Sequence, residues 1–206
     1  MSANENQRAA YIDPFTGTPI RLGNIIPSDL PAVRVIADDR LGPGYLDLDK
    51  NMLSDRHRVN LCALGGGREG AVVGFFLGQI LPAPAFQAQY PKESAALSDK
   101  LVGADHIGVA KTVATAVSHE RLGTATSLID EAVYQMRIIG VDLVVAVAWK
   151  DGMGIHIDGP LRAVSFAPVT EIPDYWKEDS LARGYCCPTC GEPPCRCSAV
   201  LYILER

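Results

Sequence analysis

The stretch from His106 to Trp149 constrains the fold more than any other part of the chain. From His106 to Val117 the residues read as a strand, with Val109, Val113 and Val117 set among threonines and small residues. A sharp turn over Ser118–Thr124 follows. Beyond it Ala125, Leu128, Ile129, Ala132, Val133 and Met136 recur at the spacings of a single helical face. Gly140 stops this helix in the C-cap region. Val141–Trp149 is then a short continuous apolar run, as a strand buried on both faces requires. Strand, turn, helix and strand in this order specify an α/β fold.

The chain has 206 residues. At about 150 residues per domain it makes one domain, able to bury roughly 70% of its unfolded surface. Its formal charge of -5 argues against a general nucleic-acid binder, which needs a basic field. No apolar run approaches the ~20 residues that cross a bilayer. The opening Met1–Arg8 lacks an apolar signal core, so a soluble cytoplasmic protein with no membrane partner is expected.

Residues 1–18 read as an N-terminal tail and 19–206 as a single domain. Pro19–Ile26 is the first strand, and Pro27-Ser28-Asp29 starts a helix with Leu30, Val33, Val35, Ile36 and Ala37 on its apolar side. Leu46–Leu53 reads as a short helix. Val59–Leu64 and Ala71–Ile80 form a hairpin about Gly65–Gly70, which lacks the lysine and helix of a phosphate-binding Walker loop. Residues 81–103 are an excursion without a clear pattern, and Ser198–Arg206 is a final strand.

The cysteines are unevenly spread. Cys62 stands alone, whereas Cys186, Cys187, Cys190, Cys195 and Cys197 are packed together. Disulfide frameworks distribute cysteines to staple distant segments and need an oxidising compartment. Cys-Pro-Thr-Cys-Gly followed by Cys-Arg-Cys instead has the spacing of thiolate metal ligands. Cys187, Cys190, Cys195 and Cys197 are therefore expected to close a structural zinc site, Zn2+, within a knuckle at 186–198. Cys186 could replace Cys187; the alternatives are five reduced, unliganded thiols or, behind them, an iron–sulfur cluster.

At Glu120-Arg121-Leu122-Gly123-Thr124-Ala125 a strand ends and a helix begins. Small residues leave backbone amides uncovered there, and the first four amides of a helix have no internal partner. Such a turn suits a phosphate, although many turns of this kind bind nothing. With Leu128-Ile129 behind it, this segment resembles the Gln/Arg-x-x-Gly-x-Gly/Ala signature of the GNAT superfamily of acyl-CoA N-acyltransferases. The order of elements upstream and the segment Ser165–Trp176 resemble the same family.

The resemblance implies a mixed, mostly antiparallel sheet flanked by helices, with the zinc knuckle between the last two strands. It implies an enzyme, an acyl-CoA-dependent N-acyltransferase that moves an acetyl or other acyl group from acetyl-CoA or another acyl-CoA to a primary amine. Arg121, Leu122, Gly123, Thr124 and Ala125 would hold the pyrophosphate. Thr115, Ala116 and Val117 would pair with the pantetheine arm and polarise the thioester carbonyl. The chain departs from the family three times: Glu120 replaces Gln or Arg, the turn between Val117 and Gly123 is shorter than typical, and Leu161 stands where a general-acid tyrosine is often placed. His156 and Asp158 are the candidates for proton transfer, the alternative being that they order the start of a helix. The loop carrying the knuckle would overhang the acceptor entrance. The acceptor would be an amine-bearing small molecule or a peptide or protein, without nucleic acid, and a homodimer is left open. A reading from another class is a non-catalytic acyl-CoA sensor that uses the knuckle to bind a partner.

Overall fold

A computed structural model describes residues 8–12, 19–48, 53, 55, 57–66 and 70–205. Nine strands form one sheet among them: β1 (Arg8–Ile12), β2 (Pro19–Asn24), β3 (Arg58–Gly65), β4 (Ala71–Pro82), β5 (His106–Thr115), β6 (Leu143–Asp151), β7 (Gly154–Ile155), β8 (Ala167–Ile172) and β9 (Ser198–Glu205). The order across the sheet is β1-β2-β3-β4-β5-β6-β9-β8, with β7 pairing on β6. Every pairing is antiparallel except β5 with β6. That parallel pair is joined by the helix predicted from the 106–149 pattern. A mixed, mostly antiparallel sheet with helices is the architecture expected.

Helices cover both faces. On one lies α4 (Thr124–Ile138), which presents Leu128, Ile129, Ala132, Val133 and Met136 to the sheet. Beside it lies α5 (Asp158–Ala163), which buries Leu161 in the same core. The other face carries α1 (Leu30–Leu41), packed on Cys62, Phe75 and Leu77. It also carries α2 (Ala83–Gln89) and α3 (Pro91–Ala96), where Phe86 packs with Val109, Val145 and Leu201. The alternation of inward side chains along β5 and β6 divides the two cores, as a pleated strand must. The side chains of Gly78 and Gly108 are missing where the Met136 side chain crosses the sheet, so α4 can seat closely.

Three details differ from the sequence reading. Arg8–Ile12 forms β1, antiparallel to β2, so an ordered strand extends the sheet within the stretch expected as tail. The excursion at 81–103 folds as α2 and α3, started by Pro84 and Pro91 in their first turns. Half of the helix expected at Leu46–Leu53, residues 49–52, lies outside the described residues, and Leu46–Leu48 has no regular structure. No described helix is long and apolar enough to cross a membrane.

Candidate functional site

β5 and β6 pair only from Ile107↔Leu143 to Ala110↔Ala146, after which they part. β6 continues against β9, and β5 continues against β4. The parting coincides with a bulge: Leu77 and Gly78 of β4 face Thr112 and Ala110, leaving Lys111 as the extra residue. From Lys111 to Thr115 the edge of β5 toward β6 has no strand partner among the described residues. At about 3.3 Å per residue this open edge runs for roughly 16 Å. It can hydrogen-bond an extended, amide-bearing ligand as another strand would.

The open edge leads to the turn before α4. Arg121 (φ 57) and Gly123 (φ 84) both adopt the left-handed conformation, which curls successive amides toward one side. The amides of Arg121, Leu122, Gly123 and Ala125 donate to no other backbone group among the described residues. A side chain at Gly123 would meet nothing within 4 Å, so the space over the turn is open. Thr124 is buried beneath it. The Ala116 amide, in contrast, donates to the Val73 carbonyl at 2.9 Å. Glu120 does not face the turn unaccompanied: the Arg40 guanidinium of α1 donates to its Oε1. Arg40 is a partner that local sequence could not reveal, since it lies eighty residues away.

A cavity of about 570 Å³ opens beside the parting strands, on the face that carries α1, α2 and α3. Val109, Lys111 and Val147 form its floor, and Tyr45, Tyr90, Tyr175 and Trp176 its aromatic walls. Burial lowers the Lys111 pKa, helped by the nearby Arg58 and Arg183 charges. Glu93 of α3, only 2% exposed, lines the same cavity, and the Tyr175 hydroxyl donates to its Oε1. The Tyr90 hydroxyl donates to Gln79 Oε1 at 2.7 Å. Sequence reading missed Glu93, because a carboxylate in a patternless segment carries no signal until its helix is placed.

His156 and Asp158 are near each other in sequence but belong to separate networks, and neither lines the cavity. His156 Nε2 lies 3.0 Å from Asp151 Oδ2, and its ring stacks on Trp149 with centroids 5.0 Å apart. Burial raises the Asp151 pKa, but hydrogen bonds from His156, Thr189 and the Met153 amide outweigh it and hold the carboxyl at about 2. Asp158 opens α5. It accepts from the Tyr202 hydroxyl and, at 2.7 Å, from Arg162 Nε, and these bonds hold its pKa below the usual carboxylate range. Tyr202 lies in β9 opposite Ala146, the last residue of β6 before the parting, and burial pushes its phenol up to about 12. Leu161, at the position of the family tyrosine, is a 2% exposed core residue.

The knuckle brings Cys187, Cys190, Cys195 and Cys197 together, with all four Sγ atoms within 4.8 Å of one another, while Cys186 stays outside and exposed. All are free thiols. A tetrahedral ion with Zn–S bonds of ~2.3 Å has S···S edges of about 3.8 Å. The separations Cys187–Cys197, Cys190–Cys197 and Cys195–Cys190 are 3.8, 3.5 and 4.0 Å. The amides of Cys190 and Arg196 point at sulfur, each at 3.4 Å. Without a cation, burial and crowding by neighbouring thiols push Cys195 up to about 11 and raise Cys197 too. The donor set thus fits a divalent, sulfur-preferring ion.

The knuckle is also wired to the cavity wall. Cys187, Cys195 and Cys197 pack on Trp149 and Trp176. The Cys195 amide donates to Ser180 Oγ of α6 (Lys177–Arg183) at 2.9 Å, and the Tyr175 amide to the Cys197 carbonyl at 3.1 Å. Gly42, just beyond α1, lies so close that a side chain there would fall on the Cys186 carbonyl.

No protein-family model matches the chain, and no curated protein matches it in sequence. Solved structures do match in shape. Arabidopsis thaliana NAA60, in complex with a bisubstrate analogue, superposes with a TM-score of 0.64 at 18% identity, covering 90% of this chain and 97% of that one. The ribosomal-protein-S18-alanine N-acetyltransferase of Escherichia coli gives 0.57 at 13% identity, with 90% and 93% covered. The Drosophila melanogaster polyamine N-acetyltransferase gives 0.60 at 11%, with 91% and 100% covered. At such identities the likeness is one of fold. The chain has the fold of the GNAT N-acetyltransferases, with a four-cysteine cluster added between its last two strands.

Proposed function

We propose that this protein transfers an acetyl or other acyl group from acyl-CoA to a primary amine. The observation that carries the reading is the open edge of β5 at Lys111–Thr115, continuous with the amides of Arg121, Leu122, Gly123 and Ala125, which donate to no other backbone group among the described residues. An extended arm with amides suits the edge, and a pyrophosphate suits the turn at the positive end of α4. The same reading puts the thioester where β5 and β6 part, with the cavity beyond it for the acceptor. NAA60 in complex with acetyl-CoA has the same fold, which supports this choice of co-substrate.

Positioning supplies much of the rate when an amine is held beside a thioester. In this reading the departing thiolate takes its proton from the attacking nitrogen, since Leu161 has none to give and the fully buried Tyr202 hydroxyl donates to Asp158. His156 would act through Asp151 and Thr189 by holding the β6–β7 hairpin to the knuckle. Cys187, Cys190, Cys195 and Cys197 would hold a zinc ion that supplies no open coordination position and so serves structure.

Calorimetry with acetyl-CoA and thiol release across a panel of amines test the reading. Micromolar binding together with amine-dependent coenzyme A release is expected; the lack of both would overturn it. Binding without release from any amine would favour the sensor reading, which the buried Leu161 supports.

A further inference from the structure

Glu93 has no evident structural reason to be where it is. It is 2% exposed, and among the described residues its one hydrogen bond to a side chain is received from the neutral hydroxyl of Tyr175. Among the described residues no lysine, arginine or histidine lies within ion-pair distance of it. A buried carboxylate without a cation is costly, unless the cation comes with a ligand.

The other charges around the cavity leave that place open. Arg183 is engaged by Asp179 and by the Gly44 and Tyr45 carbonyls. Lys92 lies over the Tyr175 ring, 5.6 Å from its centroid, with its Nζ directed at the Tyr175 carbonyl. Lys111 sits in the β5 bulge, and Glu178 adds a second carboxylate on the α6 side. The phenols nearest Glu93 respond to its charge: burial first, then Glu93, pushes Tyr90 up to about 12 and raises Tyr175 further. The environment is that of an anion waiting for a cation, enclosed by the rings of Tyr45, Tyr90, Tyr175 and Trp176.

We propose that Glu93 receives the acceptor's ammonium group and removes the proton it must lose, and that the acceptor is a small primary amine, cationic in solution. This deepens the transferase reading and rests on it. R–NH3+ gives one proton to the Glu93 carboxylate, leaving R–NH2 with a free lone pair. The nitrogen attacks the thioester carbon, the C–S bond breaks, and the second nitrogen proton ends on the thiolate as coenzyme A. Glu93 then returns its proton to water. A cavity of about 570 Å³ is of the size that holds a small molecule.

The test compares ethylamine, protonated at neutral pH, with trifluoroethylamine, which is already neutral there. The intact, metal-loaded chain is used with acetyl-CoA. Glu93→Gln is expected to lower kcat/KM for ethylamine by roughly a hundredfold, in the range of a lost general base, and to change trifluoroethylamine little. Tyr175→Phe, which keeps the carboxylate, should cause a several-fold loss confined to ethylamine. Acetyl-CoA affinity and the melting temperature are followed in each variant to establish that it is folded. Equal losses for both amines in folded variants would overturn the role of Glu93. Turnover of peptide N-termini alone would overturn the substrate class. If the wild type binds acetyl-CoA but acetylates neither amine, this inference fails and the cofactor site stands; if it binds no acyl-CoA, the transferase reading fails with it.

Discussion

Glu120 and Asp151 illustrate how single residues acquire meaning from distant partners. Glu120 would repel a phosphate at the neighbouring turn, but Arg40 reaches it from α1. Both side chains are about one-third exposed, so the pair is worth about 1 kcal/mol. Arg40→Ala should therefore weaken acetyl-CoA binding roughly fivefold, and adding Glu120→Gln should restore it; calorimetry on the two variants measures both effects. Asp151 makes a prediction about acid stability. Its folded pKa, about 2, lies below the ordinary 3.8, so the stability it contributes is present above pH 4 and is lost as the pH falls toward 2. Denaturant melts should find the wild type more stable than Asp151→Asn by about 1–2 kcal/mol at pH 6, with the gap closing between about pH 4 and pH 2. Neither pairing could be read from sequence, because each partner is chosen by the fold.

At the scale of elements, Trp176 and α6 form one wall of the cavity, and the knuckle packs behind them. Trp176 packs on the cysteines and lines the cavity, while the Cys195 amide is anchored on Ser180. If the cluster holds an ion, as proposed, its removal would leave buried thiols that repel one another once ionised, so this wall should loosen before the α4 turn does. Chelation is expected to lower the melting temperature by several degrees and to raise the acceptor KM more than the acetyl-CoA Kd. Calorimetry and steady-state kinetics on chelated and zinc-restored protein measure the difference, and equal losses would count against the coupling. The cysteine spacing was legible because ligand convergence is encoded within a few residues. The contact with Trp149 and Trp176 was not, since those side chains meet the knuckle only after β6 and β8 are laid beside β9.

Across the whole molecule, the sheet divides the core under α4 from those under α1 and α2. Met136 marks how tightly this is packed, with its thioether lying over Gly78 and Gly108. Met136→Ala should cost about 2–4 kcal/mol through the cavity it leaves, seen as a melting temperature lower by about 10 °C. The sequence alone determined the strand–turn–helix–strand unit, the hairpin, the turn at Gly123 and the four converging cysteines. These are local: periodicity, caps and short spacings act over a few residues, and hydrophobic patterning selects the face that is buried. Only the tertiary structure decided where β5 and β6 separate, which cation neutralises Glu120, and that Glu93 is buried in a cavity wall with no described cation within ion-pair distance. Those outcomes depend on contacts between residues far apart in the chain, whose energies exist only when packing has excluded water and brought them together.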